Sequence, residues 1–251
     1  MAEDLIYDAH MHVDDVPALG WNMTGRQCIE AMDRAGIQKA IVMTIVDLPE
    51  IDPNALDHIA DACAEFPGRL LAFARIHPFY VTEAVAMLDR AFAKYSCFKG
   101  LKLHPVTTIS HPGSKETLQL IRRAAEHNAP TLFHCGDEPL TTPLEIATAA
   151  SACPEATIIL GHMGGYYHVD EAIRVAEKYP NIVLETSAMP YPAKITEAVA
   201  RIGADRVIYA SDGPVASPII EVEKIRLARL DPQSERRVLG LNIQRIIEAV
   251  A

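Results

Sequence analysis

Tyr7-Asp8-Ala9-His10-Met11-His12 follows the apolar pair Leu5-Ile6 and reads as the C-terminal end of a first β-strand. Alternate residues of a strand face the same way. His10 and His12 therefore project side by side, with Met11 on the other face. On that alternation Asp8 shares the face of His10 and is a candidate partner for fixing an imidazole tautomer, or a packed polar residue. Two imidazoles held in this way can bind one metal ion through ring nitrogens. A His-x-His triplet alone is a weak signal. Its weight comes from what the rest of the chain delivers.

Beyond this strand the chain alternates between two patterns. Short apolar, β-branched runs at 39–44, 69–75, 97–103, 130–134, 157–161, 181–185 and 206–210 predict strands. Amphipathic stretches at 24–35, 53–65, 82–95, 114–127, 143–150, 169–178, 193–202 and 218–229 predict helices, and 234–250 predicts one more. Thr24 can cap the first helix and Gly36 can stop it, and Ser114 stands where another begins. Strand runs without polar alternation indicate burial on both faces, as in a parallel sheet. Eight such units predict an α/β fold, a closed (β/α)8 barrel in a single domain over 1–251 with an extra C-terminal helix. No G-x-G-x-x-G follows any strand, so a dinucleotide site has no support.

Composition agrees with one sizeable core. The chain has 251 residues, 49% hydrophobic and 22% charged, an ordinary globular balance. Asp plus Glu outnumber Lys plus Arg by 33 to 23, a formal charge of -10, which argues against nucleic acid and anionic membranes as partners. A small-molecule substrate is the expected partner, and a homo-oligomer is compatible with everything read here. The five cysteines (Cys28, Cys63, Cys97, Cys135 and Cys153) are odd in number and form no CxxC pair, so neither a disulfide framework nor a thiolate zinc site is indicated. Residues 1–4 lack the features of a secretory signal and no apolar run reaches membrane-spanning length, which leads to the expectation of a cytoplasmic protein.

The titratable residues fall at strand ends. Lys102 and His104 close the fourth strand, His134 the fifth, His162 the sixth and Asp212 the eighth. In a barrel all of these ends gather at one rim, where active sites are built. Four imidazoles (His10, His12, His134 and His162) with the Asp212 carboxylate suit zinc or another divalent transition metal. Glu185 ends the seventh strand and could also reach the rim. Trp21 and Tyr166 lie on rim loops and, with His104, are substrate-pocket candidates or loop packing. Cys135, next to His134, is expected to face the core. His58, His111, His127 and His168 read as surface residues.

The ordered set His-x-His, Gly100-Leu-Lys-Leu-His-Pro105, His134-Cys-Gly136, Gly161-His-Met-Gly-Gly165 and Ser211-Asp-Gly-Pro214 resembles the amidohydrolase superfamily. It is most similar to the amidohydrolase-related branch that contains aminocarboxymuconate-semialdehyde decarboxylase. The resemblance spans essentially the whole chain, including Leu241-Asn-Ile-Gln-Arg-Ile246. It implies that His10, His12, His134 and Asp212 bind the principal metal. His162 is then a second-metal ligand or a substrate-facing acid/base, and Lys102 stands where binuclear relatives carry a carboxylated bridging lysine. One zinc ion is the expectation, two are possible, and manganese, iron or cobalt would also suit the ligands. The activity implied is hydrolysis of an amide, lactone or ester carbonyl, with Asp212 taking the proton of a metal-activated water and His162 or Lys102 aiding the oxyanion. The alternative is non-oxidative decarboxylation with His162 aiding protonation. A barrel that keeps its metal and has lost catalysis is the non-enzymatic reading.

Overall fold

The computed structural model describes residues 5–16, 21–45, 53–136 and 139–250. Eight parallel strands follow one another around a barrel. They are β1 (Tyr7–His12), β2 (Lys39–Met43), β3 (Leu70–Arg75), β4 (Phe98–Leu103), β5 (Thr131–Phe133), β6 (Ile158–Leu160), β7 (Ile182–Glu185) and β8 (Val207–Ile208). Each pairs with the next in chain order. The segment after β8 returns to β1: Ala9 N–H donates to the Tyr209 carbonyl at 3.2 Å, Asp212 N–H to that of His10 at 2.8 Å, and His12 N–H to that of Gly213 at 2.7 Å. Eight helices cover the outside, α1 (Gly25–Ala35), α2 (Pro53–Glu65), α3 (Val81–Lys94), α4 (Lys115–Glu126), α5 (Pro143–Ala152), α6 (Val169–Lys178), α7 (Pro192–Ile202) and α8 (Pro218–Leu227). The expected (β/α)8 barrel is present. Among the described residues no helix is long and apolar enough to cross a membrane.

Local chemistry explains the elements. Thr24 Oγ1 accepts the Gln27 N–H and the Gln27 side chain reaches back to the Thr24 N–H, a reciprocal cap, while Gly36 at φ 72° ends α1. Strand residues sort by period two into an inner cluster (Ile41, Phe73, Leu132 and Ile159 among it) and an outer one shared with the helices (Val42, Ala72, Leu101 and Phe133). Each large apolar side chain so buried contributes about 1.5–3 kcal/mol. Gly100 is required inside the barrel, since a Cβ there would lie 2.5 Å from the Phe73 ring.

The first strand runs through His12, as read from the sequence. Two differences from that reading stand out. The loop after β1 contains an antiparallel hairpin, Asp14–Val16 with Trp21–Met23; Pro17 and Gly20 lie outside the described residues. The terminal helix is in three pieces, Pro232–Arg236, a wider π-turn Arg237–Leu241 and Asn242–Glu248. Its interruption has a cause. The Val238 carbonyl accepts the Tyr209 N–H at 2.8 Å, and a Cβ on Gly240 would lie 2.4 Å from the Leu5 carbonyl oxygen. Ile243, Ile246 and Ile247 of the last piece join the inner cluster beside Tyr7.

Candidate active site

β1 carries a bulge, and the bulge makes the site. Tyr7 and Asp8 pair with Lys39 and Ala40, but Met11 and His12 pair with Val42 and Met43, so β1 holds one extra residue. The facing pattern shifts by one. Tyr7 and Ala9 pack in the inner cluster, Met11 in the outer one, and His10 and His12 both turn inward. Of the two readings for Asp8 the packed polar residue holds, because the bulge breaks the alternation that put it on the face of His10. Its Oδ1 accepts the N–H of His10 at 3.0 Å and of Ser211 at 2.9 Å, so it holds the bulge and not an imidazole tautomer. Burial pushes its carboxyl up to about 7.

His10, His12 and Asp212 each offer a ligand atom within 4.8 Å of the others. The outer ring nitrogens are already committed. His10 Nδ1 lies 3.1 Å from Glu185 Oε2, and His12 Nδ1 lies 3.2 Å from the Thr44 carbonyl. A carbonyl only accepts, so His12 Nδ1 carries the hydrogen and a neutral ring presents the bare Nε2 lone pair. That lone pair points at Asp212 Oδ1, 3.0 Å away. Burial raises the Asp212 carboxyl, but the neighbouring positive charge, that of Lys102 included, outweighs it and holds the group well below the usual carboxylate range. An ionised oxygen facing a lone pair is the arrangement a divalent cation satisfies. His10 Nε2 lies 3.6 Å from the same oxygen and 3.1 Å from Lys102 Nζ. Burial and the neighbouring Lys102 charge hold the His10 imidazole well below its ordinary value, hence neutral.

The other half of the site is made of imidazoles that face one another. His162 Nε2 lies 3.1 Å from His134 Nδ1, and His162 Nδ1 lies 2.9 Å from Ser187 Oγ. Burial pushes His162 down to about 4. His134 stacks on His104 at 4.0 Å between centroids, 8° from parallel, and the buried His104 Nδ1 has no hydrogen-bond partner among the described residues. His134 thus lines the same space as the triad, while its Nδ1 meets His162. The backbone is forced here: His162 at φ 60°, Met163 at φ 51° and Asp212 at φ 57° are non-glycine residues in the left-handed region, a cost found at functional sites.

Glu185 ties the halves together. It is fully buried, with Oε2 near His10 Nδ1 and accepting the His162 N–H at 3.2 Å, and Oε1 accepting the Ser187 N–H at 2.5 Å. Burial pushes its carboxyl up, and these N–H groups draw it back. With His10 and His162 it forms a second group of closely placed ligand atoms.

A cavity of about 170 Å³ opens over this set and is also lined by Arg75 and Lys102. A second, of about 140 Å³, is lined by His134, His162, Asp212 and Tyr166. Tyr166 is 54% exposed, and its carbonyl accepts the Tyr191 hydroxyl at 3.4 Å. The Trp21 side chain lies outside the described residues. Cys135 is buried in the outer cluster, as expected. His58 and His111 are exposed; His127 and His168 are half-buried. A larger groove of about 560 Å³ between α5 and α6 carries none of this chemistry.

Sequence reasoning missed Arg75 and Ser187. Arg75 is buried at the end of β3, donating to the carbonyls of Thr44 at 3.1 Å and Ile45 at 2.5 Å and to Thr107 Oγ1 at 3.3 Å. Its position at a strand end, like that of Lys102, was the available signal. Ser187 carried none, since it lies beyond β7 in an irregular turn.

Comparisons with known proteins agree with this architecture. No curated protein sequence matches the chain. An uncharacterised TIM-barrel protein from Bordetella bronchiseptica is 18% identical with a TM-score of 0.81, covering 97% of this chain and 98% of its own. The 5-carboxyvanillate decarboxylase of Novosphingobium aromaticivorans, solved with bound manganese, is 17% identical at a TM-score of 0.80, covering 98% and 97%. The 2,6-dihydroxybenzoate decarboxylase from Rhizobium is 16% identical at 0.76, covering 98% and 99%. At these identities the likeness establishes the fold. The family model described as amidohydrolase matches residues 7–248, and with the metal-type cluster at its rim the chain belongs to the amidohydrolase family of metal-dependent enzymes.

Proposed function

We propose that this enzyme is a metal-dependent, non-oxidative decarboxylase acting on a small carboxylate. The observation that carries the reading is the pair of cationic side chains, Arg75 and Lys102, in the wall of the cavity that also holds His10, His12 and Asp212. A guanidinium fork matches a carboxylate in two hydrogen bonds. The two decarboxylases of the same fold support the choice and shift the weight from the hydrolysis expected on sequence.

His10, His12 and Asp212 would hold the metal, with His134 or His162 across the cavity. The imidazole–carboxylate set suits manganese or zinc, and the manganese in one similar structure makes manganese the first to try. When bound, such an ion supplies Lewis-acid stabilisation of negative charge on the substrate. Arg75 and Lys102 orient the carboxylate. The bond from that carboxylate to its carbon breaks, carbon dioxide leaves with neither added electron, and the electron pair stays on the carbon. That carbon takes up one proton. His162, its ring held by Ser187 and facing His134, is placed to deliver it. Tyr166 and His104 form the remaining walls against the substrate body.

The experiment loads the protein with Mn²⁺ or Zn²⁺ and offers 2,6-dihydroxybenzoate, 5-carboxyvanillate and related small carboxylates in D₂O, beside a panel of amides, lactones and esters. The expected result is carbon dioxide with one deuteron at the former carboxyl-bearing carbon. Release of amine or alcohol with no carbon dioxide from any acid would return the enzyme to hydrolysis.

A further inference from the structure

Two charged side chains of α8, outside both cavities, grip the turn that supplies Ser187. Lys224 Nζ donates to the Thr186 carbonyl at 2.6 Å and to Glu221 Oε2. The Glu221 carboxylate accepts the N–H of Ala188. Both side chains are buried, at 6% and 7% exposure. The two gripped peptide groups flank Ser187, itself fully buried, whose Oγ lies 2.9 Å from His162 Nδ1. Ala188 sits at φ 52°, a conformation its surroundings must hold in place.

A buried ion pair is poor evidence for stability, because desolvation consumes most of the Coulombic gain. A pair of apolar residues would pack α8 as well. What the charges add is direction: one fixes a carbonyl, the other an N–H, two residues apart on the same turn. The Ser187 N–H is held as well, by Glu185 Oε1. The hydroxyl between these points has little freedom to leave His162.

We propose that Glu221 and Lys224 are positioning residues for His162. Their grip on Thr186 and Ala188 sets the Ser187 hydroxyl, and the hydroxyl sets the orientation and tautomer of the His162 ring. The inference rests on the reading of His162 as a group that works on the substrate, but its direct readout is the ring itself.

The test follows the ring ¹⁵N–¹H signals of His162 in protein labelled at histidine, assigned by their loss in His162→Asn. Glu221→Gln and Lys224→Met are compared with the unaltered chain, together with metal content and, on any substrate found, kcat and KM. The expected result is a shifted or doubled His162 signal in both variants and unchanged metal content. It includes a fall in kcat of about tenfold, the scale of a lost supporting contact, with KM little changed, and recovery in Lys224→Arg. Unaltered His162 signals with only a lowered melting temperature would overturn the proposal and leave the pair as packing. If Lys224→Met fails to fold, Glu221→Gln, which preserves shape, carries the same measurement alone. A moved ring signal in a protein that decarboxylates nothing would uphold this inference while removing the decarboxylase reading.

Discussion

The two halves of the cavity are built from the same side chain in opposite ways. In the triad half, the outer nitrogens of His10 and His12 are tied to Glu185 and to the Thr44 carbonyl, groups whose role is to accept. The inner nitrogens are thereby turned toward Asp212, His12 Nε2 at 3.0 Å and His10 Nε2 at 3.6 Å. In the other half, His162 and His134 face each other nitrogen to nitrogen, and His162 ends on a hydroxyl that can donate or accept. Protons on the first side have one place to be. On the second side they have several. Imidazoles with immobilised protons are suited to holding a cation, and imidazoles with movable protons to passing one on, which is the division proposed here.

The largest effect that would break this division is in the triad. His10→Ala together with His12→Ala is expected to abolish metal binding and turnover while leaving the barrel folded, read by elemental analysis and circular dichroism. Retention of the metal would place the ion in the other half. Next, Asp212→Asn is expected to keep the fold, weaken metal binding and lower turnover, since it removes the carboxylate that faces both imidazoles of the triad. A near-normal kcat would remove Asp212 from the chemistry.

A finer contrast compares the supporting residues. Glu185→Gln should weaken metal affinity by about 10–100-fold, measured by competition with a chelating dye. Ser187→Ala should leave affinity alone and lower turnover. Equal effects of the two on affinity would erase the distinction. The smallest expected effect is that of Arg75→Met, which should raise KM for the carboxylate about tenfold, one lost charge-assisted contact, with a lesser change in kcat. An unchanged KM would remove the carboxylate anchor.

Most of the barrel was legible because its evidence is periodic. Buried parallel strands repeat, helices cap at Thr24 and Ser114, and strand ends mark the rim where Lys102, His134, His162 and Asp212 converge. What escaped depends on single contacts rather than on period. The alternation that paired Asp8 with His10 was broken by one extra residue. Arg75 reads in sequence as the polar end of an apolar run. Ser187 and its grip by α8 depend on a turn with no repeating pattern. The expected helix over 234–250 was interrupted by one carbonyl drawn off to Tyr209.

The bulge in β1 bears on how such a site can be gained or lost. A strand pattern of period two has only two phases, and the extra residue between Asp8 and Met11 switches from one to the other within six positions. The hydrophobic phase before it belongs to the barrel; the phase after it presents the two imidazoles of the proposed metal site. The same six residues paired without the bulge would keep Tyr7 and Ala9 on the inner face and turn His10 and His12 together to the outer one, beside Asp8. The catalytic potential of this barrel is thus a matter of one residue's length, separable from the sequence that makes it fold.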